Sequence, residues 1–220
     1  MINSRQTRTR TIAGFGNIPV VVWGLIFACL LPELILLGAD WGLWGALNWR
    51  SLAYQYGGFW AGLLGNWRPN YPAQPYFMFA SYGFLHAGPV HFLINMFTLL
   101  SLGPPLVRAI GAGRFLMLYS LSLIGGAVGF AALSAASAPM IGASGALFGL
   151  AGAYLAREYT RRTARALPVW PVLRAMIWLG VLNLVLWWAM HGQLAWQTHL
   201  GGFVAGWVFI AGYGTRRRSV

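Results

Sequence analysis

In the stretch "PMIGASGALFGLAG", residues 139–152, one hydroxyl, Ser144, stands among glycines and alanines at the start of a long apolar run. Few other polar side chains interrupt the apolar runs. They are His86, His91, Asn95 and Thr98 in "FLHAGPVHFLINMFT", Asn183 further on, and His199 in "THLGGFVAGW". A polar side chain in hydrocarbon is costly and turns toward the protein interior, so each is a functional candidate by default. A serine hydroxyl is a weak nucleophile until a base removes its proton, and histidine suits that task near neutral pH. Attack on an amide carbonyl creates an oxyanion that needs fixed hydrogen-bond donors. His91 and Asn95 are four apart and share a helix face; with the Ser144 backbone N–H they are available donors, though a plain interhelical hydrogen bond is a competing use for both.

An acid normally orients the histidine of such a pair. The chain has three, Glu33, Asp40 and Glu158. None belongs beside His199 by its place in the chain, so a Ser–His dyad is expected, with Phe148, one helical turn past Ser144, placed to stack on the imidazole. Asn183 is read as a helix-packing polar group, and His191 as a solvated loop residue.

Positioning these groups requires a membrane bundle. The 220 residues are 58% hydrophobic and 8% charged, with a mean hydropathy of +0.62. Soluble domains carry roughly 25% charged residues. The expected fold is all-α and polytopic, with six spans near 18–38, 82–102, 115–134, 142–156, 173–190 and 198–214. Thirteen of the 15 basic residues, all arginine, then fall on one side: Arg5, Arg8 and Arg10; Arg108 and Arg114; Arg157, Arg161, Arg162, Arg165 and Arg174; Arg216, Arg217 and Arg218. Only Arg50 and Arg68 face the other way. The positive-inside rule puts both termini in the cytoplasm. The chain thus divides into a basic tail (1–17), a membrane domain (18–214) and a second basic tail (215–220). The first apolar run is long and lacks a small-residue cleavage site, so it is expected to be a span rather than a leader. The segment 39–81 is too polar to cross and holds five tryptophans; it is expected along the outer face as short interfacial helices.

This topology sets Ser144, His199, His91 and Asn95 at similar depth in the outer half. Gly142, Gly145, Gly149 and Gly152 form a bare stripe on the fourth span, and Gly202 with Gly206 a second one on the sixth, on the face of His199. Such stripes let membrane helices approach closely, and packing one on the other would hold Ser144 against His199.

Other functions fit less well. The net charge of +12 is dispersed over alternate loops rather than gathered on one face, which argues against nucleic acid. Lone Cys29 reads as an apolar filler. A metal site is disfavoured, because catalytic zinc normally takes three protein ligands and no acid is near the histidines; no cofactor is implied. A transporter would show deep ionisable pairs or repeated halves, and neither is visible.

In its ordered elements the chain resembles the rhomboid intramembrane serine proteases of the basic six-helix bacterial type. "HAGPVHFLIN" matches the family's H-x4-H-x3-N element, "GASG" its G-x-S-G motif, and "HLGGFVAG" its H-x2-G-x3-G element, on spans two, four and six. The resemblance covers about residues 18–214. It implies that Ser144 is the nucleophile, His199 the general base, and His91 and Asn95 part of the oxyanion hole. It also implies that His86 lies near a wet outer cavity, and that substrates arrive beside the second and fifth spans, where Met190 and Trp196 flank the capping loop. The expected activity is endoproteolysis of transmembrane protein substrates near their outer ends, in a lipid bilayer such as a bacterial inner membrane. A noncleaving relative that only binds membrane proteins is the rival; such proteins typically lack the Ser or His. The "WR" pairs at 49–50 and 67–68 sit apart from the family's usual Trp-Arg position, and no role is carried onto them.

Overall fold

A computed structural model of the chain describes residues 18–216, with side chains as far as residue 213. The tail 1–17 and all but the start of the tail 215–220 lie outside the described residues. The chain is an all-α membrane bundle. Its helices are α1 (Val20–Asp40), α2 (Trp49–Gly57), α3 (Gln74–Ser81), α4 (Pro89–Ile110), α5 (Ala112–Leu133), α6 (Ser144–Thr163), α7 (Trp170–Ala189) and α8 (Trp196–Arg216). Two 3₁₀ turns, Ala61–Leu64 and Tyr82–Phe84, complete the described elements.

Of these, α1, α4, α5 and α7 are long and apolar enough by themselves to cross a membrane. The two remaining expected spans, α6 and α8, are less apolar. Helix α6 runs past its apolar part into Arg157, Glu158, Arg161 and Arg162, and α8 carries Thr198, His199 and a glycine-rich stripe. Their placement accounts for this composition. Helix α6 is the most enclosed, with Ala146, Leu150 and Ala153 fully buried, and it packs chiefly against α8 and α5. A helix shielded by others needs less apolar surface of its own.

The second span departs most from its expected boundaries. It starts at Pro89 instead of residue 82, because Gly88 adopts a positive φ of 89° and breaks the helix, while Pro89 suits the first helical position. His86 therefore sits in a turn ahead of α4. At its other end α4 passes through Pro104 and Pro105, where the sequence suggested a stop. Neighbouring helices make such prolines tolerable in membranes, and α1 packs here, with Val22 hard against Gly103.

The 39–81 segment folds into α2, a 3₁₀ turn and α3, with Trp41, Trp44, Trp49 and Trp67 exposed. Arg50 of α2 ties it down. Its Nη1 and Nη2 donate to Glu33 of α1 at 3.0 and 3.1 Å, its Nε to Asp40 at 2.6 Å, and Nη1 also to the His86 carbonyl at 2.8 Å. Glu33 is only 3% exposed, so this counter-charge is what makes its burial tolerable. Glu33 and Asp40 are thus committed to Arg50. Cys29 is fully buried, its Sγ 3.9 Å from the Gly83 carbonyl, a packing position.

Candidate active site

Ser144 opens α6, and three local contacts fix it there. Met140 forms a two-way backbone bridge with the buried Phe59 of the 39–81 segment, each N–H···O at 2.9 Å. The Gly142 N–H donates to the Tyr82 carbonyl at 2.9 Å. Gly142 itself has a φ of 117°, and a Cβ there would lie 2.7 Å from His91 Cε1. Only glycine meets both demands, so the first residue of the GASG stretch lets His91 pack beside the start of α6.

Helices α6 and α8 touch through glycine. A Cβ on Gly202 would overlap the Gly145 carbonyl oxygen, and one on Gly206 the Gly149 carbonyl oxygen. The same approach brings His199 Nε2 to 2.9 Å from Ser144 Oγ. Phe148 lies flat on the imidazole, with ring centroids 4.1 Å apart and planes 4° apart. His199 is 5% exposed while Ser144 is half-buried, so the base is sheltered and the hydroxyl is reachable. Glycine on α5 contributes as well: Gly125 and Gly129 close on Gly201 of α8, a second bare contact that the stripe on α6 did not foretell.

His91 accepts a hydrogen bond at Nδ1 from the Ala87 N–H, 3.2 Å away. A neutral imidazole has one N–H, so Nε2 of His91 carries it and is a donor beside Gly142. Asn95 is buried; its Nδ2 donates to the His91 carbonyl at 2.8 Å. That bond uses one of two amide hydrogens and leaves the other for a ligand. His86 is buried with its ring edge-on to His91 and Phe92, at centroid distances of 5.3 and 5.5 Å. Among the described residues no three of His, Cys, Asp and Glu converge as metal ligands. Met190 and Trp196 both lie exposed at the ends of the α7–α8 loop.

One neighbour of the imidazole was not anticipated. Asn183 of α7 places its Oδ1 2.7 Å from His199 Nδ1, so it does more than pack a helix. The sequence singled it out by the same argument as Ser144 and His199, a lone polar side chain in an apolar span, but read it as a packing group and not as a partner of His199.

A model of the Rhomboid domain matches residues 73–216. RHOMBOID-like protein 1 of Arabidopsis thaliana is 36% identical over 129 residues, 59% of this chain and 32% of that protein. RHOMBOID-like protein 2 of the same plant is 32% identical over 162 residues, 74% of this chain and 44% of that protein. The putative rhomboid protease YdcA of Bacillus subtilis (strain 168) is 42% identical over 71 residues, 32% of this chain and 36% of that protein. The matched part contains every helix from α4 to α8, and with them the whole constellation around Ser144: this chain belongs to the rhomboid family. It spans less than half the length of these three relatives.

Proposed function

We propose that this chain is an intramembrane serine endopeptidase working through Ser144 and His199. The observation that carries the reading is the 2.9 Å contact between Ser144 Oγ and His199 Nε2, with the imidazole braced by Phe148. Relatives named as a putative rhomboid protease and a rhomboid protease support it. In the reaction, Nε2 takes the hydroxyl proton as Oγ attacks the scissile carbonyl. The oxyanion forms next to the Ser144 backbone N–H, the His91 Nε2–H and the spare hydrogen of Asn95. The imidazolium then gives its proton to the departing amine, leaving an ester on Ser144. Water, deprotonated by the same Nε2, hydrolyses the ester and releases the second product. The chemistry calls for no cofactor.

Substrates are transmembrane segments of other membrane proteins, cut near their outer ends. The apolar part of α6, residues 144–156, is about 20 Å long at about 1.5 Å per residue, some 10 Å short of a hydrocarbon core. With the arginines of its far end at the inner surface, Ser144 lies about 10 Å below the outer one, in a recess that water must enter. A helical substrate hides its scissile bond in backbone hydrogen bonds, so helix-destabilising residues near the cut, with a small residue before it, are favoured. The arrangement extends to six spans with both termini cytoplasmic, in a membrane such as the bacterial inner membrane. The test is cleavage of a model transmembrane substrate in liposomes. Ser144→Ala abolishes it while leaving the melting temperature unchanged; cleavage at the wild-type rate would remove Ser144 from the mechanism.

A further inference from the structure

Hydrolysis through Ser144 requires His199 to present a lone pair at Nε2, and stacking does not secure that. Phe148 fixes the plane of the imidazole. A half-turn about the Cβ–Cγ bond keeps that plane while exchanging Nδ1 with Cδ2 and Nε2 with Cε1, which takes nitrogen away from Ser144. The ring also has two neutral tautomers, and only the one protonated at Nδ1 can accept the hydroxyl proton. Something must choose both the flip and the tautomer.

From the 2.7 Å approach of Asn183 Oδ1 to His199 Nδ1, we propose that Asn183 is the positioning residue that aims His199 at Ser144. An amide oxygen facing Nδ1 accepts a hydrogen bond only when Nδ1 carries the hydrogen. The opposite tautomer would set lone pair against lone pair there, and point Nε2–H at the nucleophile. A flipped ring would offer the oxygen a carbon in place of the N–H donor. The two ring nitrogens are held at opposite edges by α7 and α6, which specifies the orientation, and Oδ1 rather than Nδ2 facing Nδ1 selects the tautomer.

Asn183 takes the place usually filled by an acid. The chain's acids are engaged elsewhere: Glu33 and Asp40 with Arg50, and Glu158 with Arg161 and Arg162. A neutral amide avoids burying an unpaired carboxylate at this depth and still accepts the hydrogen bond that strengthens as the imidazole becomes positive. Val172 is the one buried residue of α7 among the described residues, and Trp178, Leu184 and Trp188 are exposed. The helix carrying Asn183 thus sits at the bundle's edge, and the base is aimed only while that helix is docked.

This inference rests on the Ser144–His199 reading, and its experiment separates the two. Full-length wild type, Asn183→Leu and Asn183→Asp are reconstituted in liposomes. Each is assayed for kcat and KM on a transmembrane substrate, for the rate of Ser144 labelling by a fluorophosphonate, and for melting. Asn183→Leu keeps the volume and removes the acceptor; kcat and labelling fall together by about tenfold to a hundredfold, the strength of one hydrogen bond to a group that becomes charged, while KM and melting stay near wild type. Asn183→Asp keeps an acceptor oxygen against Nδ1 and recovers most of the rate. Wild-type kcat in Asn183→Leu, or equal losses in both variants that track their melting temperatures, would overturn the role of Asn183. If wild type itself fails to react at Ser144, the dyad reading falls first.

Discussion

Substituting Gly202 by alanine tests how closely the meeting of Ser144 with His199 depends on the α6–α8 contact. The added Cβ would overlap the Gly145 carbonyl oxygen and lie 2.8 Å from its carbonyl carbon. Carbon atoms pack at about 3.5–4.0 Å, so the two helices must part by about 1 Å at this level. Ser144 adjoins Gly145, and His199 lies one turn before Gly202 on the same face. A 2.9 Å contact widened by that amount is no longer a hydrogen bond. Forced overpacking costs about 1–3 kcal/mol of stability, and a 1 Å misplacement of reacting groups costs on the order of 10²-fold in rate. Cleavage of a reconstituted transmembrane substrate and thermal melting in detergent measure the two effects separately. Gly24→Ala on α1 and Gly180→Ala on α7 are the controls, since nothing lies within 4 Å of a Cβ at either place. A Gly202→Ala variant as active and as stable as these controls would refute the claim that glycine contact sets the dyad.

Further consequences are open to measurement. Asn95→Ala removes one of the proposed oxyanion donors and lowers kcat by about 10²–10³-fold with little change in KM; an unchanged kcat would confine Asn95 to its bond with the His91 carbonyl. Arg50→Leu strips buried Glu33 of its counter-charge and costs about 3–5 kcal/mol by melting, and adding Glu33→Gln recovers much of that loss; additive losses would show that the ion pair is not what Arg50 contributes. Beyond the apolar part of α6, hydrogen bonds from Arg161 bring the Glu158 carboxyl down to about 2, against opposing desolvation and with help from Arg162. A folded-state value below the ordinary carboxylate range stabilises the protein at neutral pH, and that stability is lost as pH falls from about 4 toward 2. The melting difference between wild type and Glu158→Gln, small because the pair is exposed, therefore vanishes in acid; a pH-independent difference would contradict it.

The meeting of Ser144 with His199 was legible because each is a lone polar group in an apolar run, and alternating spans fix their depths. The glycine stripes supplied the faces, and Phe148 followed from helical spacing. The start of α4 was not legible, since a hydropathy window averages across "HAGP" and hides the break that Gly88 and Pro89 make. Arg50 with Glu33 and Asp40, and Phe59 with Met140, join segments far apart in sequence, where no local period connects them. Asn183 was visible as a residue but not as a partner. Its span begins on the opposite side from α6 and α8, so depth had to be counted back from the helix end rather than forward from its start. The lower apolarity of α6 and α8 also misleads by composition alone: α6, which carries Ser144, is enclosed by its neighbours and need not look like an isolated span.

The most direct measurement is to treat the reconstituted full chain with a fluorophosphonate and locate the adduct by peptide mass spectrometry, beside a His199→Ala control. A single phosphonylated residue at Ser144, formed by wild type and lost in the control, is the predicted result. Labelling at any other serine, or undiminished labelling of Ser144 without the imidazole, would contradict it.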